Sequence, residues 1–142
     1  MIRPAKTDDI MSIVRLEKQG LRTTLGENFI YNEIVNNPFS MYFVYELNGQ
    51  VIGYLGSHVI DDKAEILNFV ISKLHQGNGY GSKLLDYMLD EATRVGVKTV
   101  TLEVRVSNVW AQKLYEKFGF KAAYTRVKYY RNEDAIVYIK EV

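Results

Sequence analysis

The chain contains 142 residues, of which 47% are hydrophobic and 25% are charged, and its formal net charge is +1. This composition predicts a single globular domain over 1–142 that buries its own core. The even charge balance argues against direct binding to nucleic acid, and the absence of cysteine excludes disulfides, thiolate metal sites and a cysteine acyl-enzyme.

The N-terminal part of the chain predicts a short strand followed by two helices. Its first segment, MIRPAKTDDI, carries charges where a signal peptide needs an apolar core, and no apolar run reaches the length of a membrane span. We therefore expect a cytoplasmic protein that does not bind membranes. Thr7, followed by two acids, predicts the N-cap of a helix that ends near Gly20. A second helix is expected over 27–37, closed by Pro38.

Three antiparallel strands are expected in the middle of the chain, which is rich in aromatic and β-branched residues. The pair Asn48 and Gly49 supplies the positive φ angles of a tight hairpin turn, and a second turn is expected over 61–63. The last of the three strands is predicted over 64–72.

The second half of the chain predicts two more helices and three more strands. A helix with one apolar stripe ends near Gly96, and an alternating strand begins near Thr99. A short helix follows, capped by Ser107 or Asn108 and stopped by Gly119, and the last strands are expected over 120–129 and 135–140.

These elements predict an α/β fold with a mixed central sheet of about seven strands and four helices, in the order β-α-α-β-β-β-α-β-α-β-β. The strands that flank the third helix form a crossover unit and should be parallel neighbours. Ligands of such sheets bind at the carboxyl ends of the strands.

The start of the third helix, HQGNGYGSKLLDYML, has three glycines within five positions. Bare backbone can adopt positive φ and approach a ligand closely, and the amides at a helix N-terminus favour an anion such as a phosphate. The spacing fits neither the Walker A pattern nor the Rossmann pattern. A plain tight turn from strand to helix is the alternative interpretation.

The spacing of Gln76, Gly79 and Gly81 resembles the acetyl-coenzyme A pyrophosphate loop of the GCN5-related N-acetyltransferases, and the predicted order of elements is also that of this family. The segments LEVRVSNVWAQKLYEKFGF and YYRNEDAIVY are similar to those of the bacterial ribosomal-protein alanine N-acetyltransferases within it. The resemblance covers nearly the whole chain and implies an acetyl-CoA-dependent N-acetyltransferase.

This resemblance implies roles for particular residues. The backbones of Phe69, Val70 and Ile71 would pair with the pantetheine arm, and Asn108 would hydrogen-bond that arm near the thioester. The pyrophosphate would be bound by the loop residues Gln76, Gly77, Asn78, Gly79, Tyr80, Gly81 and Ser82. Ser72 and Lys73 replace the Asp-Pro pair common in the family, and Gln76 replaces a common arginine. No metal is expected, because neither histidine has a partner at metal-binding spacing.

Acetyl transfer to an amine requires a base for the amine and an acid for the departing thiolate. Without cysteine, direct attack in a ternary complex is the simplest route. The motif favours Glu103 as the base over a solvated glutamate on a strand. Tyr115 lies two helical turns after Asn108 and is the expected acid, although packing beside Leu114 and Phe118 is an alternative. Backbone amides near Val70 would stabilise the oxyanion if the strand bulges there.

The basicity of the two kinds of protein amine indicates which of them is the better acceptor. An α-amine, with a pKa of about 7.7 to 8.0, is deprotonated more readily than a lysine side chain at about 10.4. The resemblance implies the N-terminal alanine of a small-subunit ribosomal protein as substrate. Two alternatives stay open at this stage: acetylation of a small amine, and a non-catalytic acyl-CoA sensor.

Two segments are candidate walls for a peptide acceptor. Tyr129 and Tyr130 stand near the last hairpin loop, where Glu133 or Asp134 could attract a cationic amine. Core packing of Tyr129 and a solvated acidic turn are equally compatible with the sequence. The segment LRTTLGENF is the second candidate wall. We expect a monomer or a weak dimer.

Overall fold

A computed structural model of the chain describes residues 1–21, 24–130 and 133–142, and their side chains except those of 128–130. It contains one mixed sheet, flanked by helices on both faces. The strands are β1 (Ile2–Pro4), β2 (Ser40–Leu47), β3 (Gln50–Ile60), β4 (Lys63–Ile71), β5 (Thr99–Arg105), β6 (Lys121–Tyr130) and β7 (Glu133–Glu141). The helices are α1 (Ile10–Gly20), α2 (Glu27–Val35), α3 (Tyr80–Arg94) and α4 (Val109–Lys117).

The strand order across the sheet is β1-β2-β3-β4-β5-β7-β6. Only β4 and β5 run parallel, and all other neighbours are antiparallel. The predicted fold class, the order of elements and the parallel pair are confirmed. The hairpin turn at Asn48 and Gly49 is also confirmed, since both residues have the expected positive φ, 53° and 78°.

The sheet separates two apolar clusters. On one face, α3 buries Leu84, Leu85 and Met88 against side chains of the central strands such as Leu102. On the other face, α1 and α2 pack over a smaller cluster that contains Tyr54 and Val70. Because successive strand residues point to opposite faces, both sides of β3 and β4 are covered. None of the helices in the described part of the chain combines the length and the apolar character that a bilayer crossing requires.

The start of α1 differs from the prediction that Thr7 is its N-cap. Thr7–Asp9 form a 3-10 turn, and α1 begins only at Ile10. The Asp9 carboxylate accepts a hydrogen bond from the Lys6 N–H (2.9 Å) and pairs with Arg3. The prediction for Thr7 was wrong, because the Asp9 carboxylate, paired with Arg3 on β1, bonds back to the Lys6 N–H and stabilises a 3-10 turn ahead of α1.

An opening between β4 and β5 is the feature that creates the site. The two strands pair only as far as Ile66 and Leu102. Beyond that point β4 has a bulge at Leu67, because Ile66 pairs with Ser57 whereas Asn68 pairs with the adjacent Gly56. The bulge therefore lies three residues before Val70, the residue near which a bulge was considered from the sequence. Glu103 is the first residue of β5 after the last pair.

Candidate active site

The glycine loop has the backbone conformation that the sequence predicts. Gly77 and Gly79 both have φ of 82°, and an added Cβ would meet no atom within 4 Å at either position. Conformation, not crowding, is what favours glycine here. The Lys83 N–H donates the first bond of α3, to the Gly79 carbonyl (3.1 Å). The amides of the preceding residues therefore have no partner within the helix and are available to an anion.

A cleft of about 320 Å³ lies between the N-terminus of α3 and one face of α4. Ile71, at the end of β4, forms part of its wall. Six of the predicted cofactor-binding loop residues line it: Gln76, Gly77, Gly79, Tyr80, Gly81 and Ser82. This volume is at the lower end of the range for small-molecule sites. The site predicted at the loop is thus a real concavity.

The opposite wall of the cleft was not predicted from the sequence. It is formed by α4 through Trp110, Lys113, Leu114 and Lys117. The Trp110 side chain is 62% exposed. These residues share a helical face, since they are separated by three, one and three positions. The two lysines place positive charge opposite the α3 amides, which suits a phosphorylated ligand.

The remaining predicted cofactor contacts lie around the cleft. Phe69 approaches it closely, because its ring is 3.7 Å from the position of a Cβ on Gly81. The Val70 side chain points to the other face of the sheet, into the cluster under α1, so only its backbone could meet a ligand. The Asn78 amide turns back to the His75 carbonyl (3.2 Å). The Gln76 side chain donates to the Ile71 carbonyl (3.1 Å) and so ties the loop to β4.

Asn108 is one of the two residues that the sequence allows as the cap of α4, and it has this structural role. Its Oδ1 accepts a hydrogen bond from the Ala111 N–H (3.2 Å), so Asn108 rather than Ser107 caps α4. This bond fixes the start of the helix that carries the second wall of the cleft. Its contact with the pantetheine arm stays a prediction.

Tyr115 lies behind the cleft and is only 7% exposed. Its ring centroid is 6.4 Å from that of Phe69, 5.7 Å from that of Phe120 and 6.3 Å from that of Tyr138. Tyr115 therefore packs among aromatic rings, and these three partners differ from the expected Leu114 and Phe118. The distance to the Phe69 ring places the Tyr115 ring beside the C-terminal part of β4.

Glu103 lies on the other side of β5, in a second cavity of about 90 Å³. The cavity is lined by Glu65, Thr101, Leu102, Glu103, Tyr124, Arg126, Val137 and Ile139. The Glu103 side chain is 17% exposed, and its Oε1 is 3.0 Å from Nη1 of Arg126. Glu103 and Tyr115 thus lie on opposite faces of the sheet. The gap where β4 and β5 no longer pair lies between these two faces.

The predicted acceptor wall at the last hairpin is partly outside the described residues. The side chains of Tyr129 and Tyr130 fall there, so their predicted contacts stay predictions. Glu133 accepts hydrogen bonds from Ser107 Oγ (3.1 Å) and from Arg105 (3.1 Å). The Ser107 hydroxyl and then the Arg105 charge hold the pKa of the Glu133 carboxyl below its ordinary value. Glu133 therefore stabilises the turn before α4 through its bonds to Ser107. In the described residues, no three metal-binding side chains form a group.

Comparisons with known proteins agree with this geometry. The ribosomal protein bS18-alanine N-acetyltransferase of Escherichia coli K12 is 36% identical over 142 aligned residues, which cover 96% of this chain and 93% of the relative. The crystal structure of the Escherichia coli enzyme superposes with a TM-score of 0.93 and 29% identity among superposed residues, over 100% of this chain and 93% of the other.

A second solved structure, Ard1 from Thermoplasma volcanium, superposes with a TM-score of 0.92 and 28% identity, over 100% of this chain and 97% of the other. Residues 7–120 match the acetyltransferase (GNAT) family, which uses acetyl-CoA as cosubstrate. The glycine loop, the opening beside β4 and these likenesses together show that the chain belongs to the GNAT family and is an acetyl-CoA-dependent N-acetyltransferase.

Proposed function

We propose that the protein acetylates the N-terminal α-amine of another protein, and that this substrate is a small-subunit ribosomal protein with an N-terminal alanine. The observation that carries the proposal is the position of Glu103, at the start of the opening and on the face away from the cofactor cleft. An amine that enters from this face meets the base, and a thioester held in the cleft enters the same gap from the other face. The name of the Escherichia coli relative gives ribosomal protein bS18 as its substrate, and this supports the proposed substrate class.

The reaction follows from these positions. The amine nitrogen attacks the acetyl carbonyl carbon, so a C–N bond forms and the C–S bond breaks. The proton of the amine passes to the Glu103 carboxylate, directly or through one water. The phenol of Tyr115 gives its proton to the departing thiolate, and exchange with solvent then removes the proton from Glu103 and returns one to the phenolate. The products are the acetylated amine and free coenzyme A, and no covalent bond to the enzyme is needed.

An α-amine suits this base better than a lysine side chain. At neutral pH an ordinary α-amine, with a pKa of about 7.7 to 8.0, is partly neutral, whereas lysine at about 10.4 is almost wholly protonated. The difference of roughly 2.5 pKa units corresponds to about 3 to 4 kcal/mol. A side-chain carboxylate is a weak base, so the acceptor that needs less deprotonation is favoured.

The proposal is tested with acetyl-CoA and three acceptors: a peptide that begins with alanine and contains lysine, the same peptide with a blocked N-terminus, and a polyamine. We expect mass spectrometry to find one acetyl group on the alanine nitrogen of the first peptide only. Labelling of the blocked peptide would indicate a lysine acetyltransferase, and labelling of the polyamine alone would indicate a small-amine enzyme. Either result would contradict the proposal.

A further inference from the structure

We infer that Glu17 is a positioning residue for the acceptor. It holds residues 24–26, the segment before α2, against the part of β4 that does not pair with β5. This inference rests on the proposed function, because it assigns that segment to the binding of the acceptor. Glu17 lies on α1, its side chain is fully buried, and the reaction described above does not use it. A charged group in such a place requires an explanation, since burying an unpaired carboxylate is very costly.

Four hydrogen bonds satisfy the Glu17 carboxylate. Its Oε1 accepts bonds from the Thr24 hydroxyl (2.5 Å) and the Leu25 N–H (3.2 Å). Its Oε2 accepts bonds from the Tyr54 hydroxyl (2.6 Å) and the Asn68 amide (3.2 Å). One oxygen therefore binds the segment before α2, and the other binds β3 and β4. A single carboxylate links these three parts of the chain to α1.

The link continues into α2. The Thr24 hydroxyl, while donating to Glu17, accepts a hydrogen bond from the Gly26 N–H (3.0 Å). The Gly26 carbonyl in turn accepts the Ile30 N–H (3.1 Å), in the first turn of α2. The start of α2 is thus linked to Glu17 through Thr24, and removal of the carboxylate would free the Thr24 side chain on which the Gly26 bond depends.

The anchor on β4 lies at the active-site opening. Asn68 directly follows the bulge at Leu67, and it points to the same face of β4 as Val70. The end of α1 also packs closely there, because a Cβ on Gly20 would lie 2.6 Å from Cγ1 of Val70. Since Leu102 points into the core under α3, Glu103 faces the α1 side of the sheet as well. The Glu17 anchor and the base therefore flank the opening on one face.

This arrangement places Leu25, which is 47% exposed, beside the face from which the amine must enter. An exposed leucine on a segment held by a buried carboxylate offers an apolar wall of fixed position to the first residues of a peptide. Without the Glu17 bonds the wall would have to be ordered when the peptide binds, and that cost would weaken acceptor binding. Loss of the Thr24 bond alone would leave the binding of coenzyme A in the cleft between α3 and α4 unaffected, because this bond does not involve β4.

The test compares two variants with a matched control. Glu17→Gln replaces one carboxylate oxygen by an NH2 group, which cannot accept the hydrogen bonds that the four surrounding donors make. Thr24→Val removes only the hydroxyl that donates to Glu17 from the segment before α2. The control is Glu33→Gln, because Glu33 is a second buried glutamate, 4% exposed, held by Ser40, Asn37 and His58. Burial opposes ionisation of Glu33, but the Ser40, His58 and Asn37 bonds hold the pKa of its carboxyl below the ordinary value.

Two measurements distinguish the anchoring of the segment by Glu17 from the catalytic step. Amide hydrogen exchange at Leu25 and Gly26 reports the link itself, and we expect faster exchange in both variants and no change in the control. Steady-state kinetics report positioning, and we expect the KM for the peptide to rise about tenfold, the effect of losing one charge-assisted hydrogen bond. We expect kcat at saturating peptide and the Kd for coenzyme A to change by less than about threefold in Thr24→Val, since the Thr24 bond involves neither β4, the cleft nor Glu103.

Faster exchange with an unchanged peptide KM would overturn the inference, and so would an equal rise of KM in Glu33→Gln. If the wild-type protein acetylates only a small amine, the proposed function fails, and the same variants are then compared on that amine. A raised KM for the amine would still support the positioning role of Glu17, and an unchanged KM would overturn it.

Discussion

Glu103 is the residue on which the chemistry depends most directly. Replacing it by Gln keeps the size of the side chain and removes its ability to accept the amine proton. We expect kcat to fall about 10²-fold or more, the usual contribution of a positioned base. The Kd for coenzyme A should be unchanged, because Glu103 lies in the cavity on the other face of β5. Steady-state kinetics and calorimetry measure the two quantities.

The matched control for this substitution is Glu91→Gln. Glu91, on α3, also pairs with an arginine, at 2.7 Å from Arg94, but this pair lies on the outer surface of the helix. We expect wild-type kcat in this control. Full activity in Glu103→Gln would show that another group takes the proton.

Tyr115→Phe tests the proposed acid without removing the ring that packs against Phe69 and Phe120. We expect kcat to fall about 10²-fold, because the thiolate would have to leave without a proton. Loss of one buried hydroxyl should change the free energy of unfolding by only about 1 kcal/mol. Kinetics and urea unfolding give the two values.

The neighbouring Tyr138→Phe is the control for Tyr115→Phe. The Tyr138 hydroxyl donates to the Glu116 carboxylate (2.9 Å), and burial together with this bond raises the pKa of Tyr138 to about 12. A similar change in stability with normal kcat is expected for Tyr138→Phe. A normal kcat in Tyr115→Phe as well would mean that the Tyr115 hydroxyl has no part in catalysis and that its ring serves packing alone.

At the scale of elements, the glycine loop and α3 form a unit whose geometry depends on left-handed backbone. Gly79→Ala puts a side chain at φ of 82°, which costs roughly 1 to 2 kcal/mol although no atom obstructs the added methyl group. Part of this strain should be relieved by turning the first amides of α3. We therefore expect the Kd for coenzyme A to rise about tenfold, as measured by calorimetry.

Gly49→Ala is the control for strain without a ligand. Gly49 has φ of 78° in the hairpin turn between β2 and β3, and a Cβ there also meets no atom within 4 Å. We expect a similar loss of stability and an unchanged Kd. An unchanged Kd in Gly79→Ala would mean that the α3 amides do not bind the phosphates.

The elements themselves could be predicted because their signals are local. Apolar spacing, turn glycines and the Asn48 and Gly49 pair act within a few residues, so they specify helices and turns in any context. The N-cap of α1 could not be predicted, because Arg3 reaches Asp9 from β1. The bulge at Leu67 likewise depends on how β4 pairs with β3, which no local pattern encodes.

The site was predicted where its residues form one segment or belong to a recognisable motif. The loop from Gln76 to Ser82 is one segment, and Glu103 lies in a recognisable motif. Lys113 and Lys117 were missed, because only the packing of α4 beside α3 makes their helix a wall of the cleft. Glu17 was missed for the same reason, since its four partners come from three other parts of the chain.

At the scale of the whole molecule, one charged cluster ties the N-terminus to the sheet. Arg3 Nη1 and Nη2 contact the two Asp9 carboxylate oxygens at 2.8 and 2.9 Å, and Nη2 also contacts Glu46 Oε1 at 2.7 Å. The cluster joins β1, the turn before α1 and β2. Burial opposes ionisation of Asp9, but the bonds from Arg3 and the Lys6 N–H outweigh it, so the pKa of the Asp9 carboxyl lies below its ordinary value of 3.8.

This lowered pKa makes the stability of the fold depend on acid in a defined direction. The folded protein binds the Asp9 proton less readily than the unfolded chain, so the contribution of Asp9 is fully present above pH 3.8 and is lost as the pH falls through the lower, folded pKa. We expect Asp9→Asn to lower the free energy of unfolding by about 1 to 3 kcal/mol at pH 7, measured by urea unfolding. The deficit should shrink between pH 4 and pH 2, because the wild-type protein then loses the same carboxylate. Asp8→Asn, at the neighbouring exposed carboxylate, should show no such deficit, and a deficit for Asp9→Asn that is constant with pH would show that packing, not charge, holds the N-terminus to the sheet.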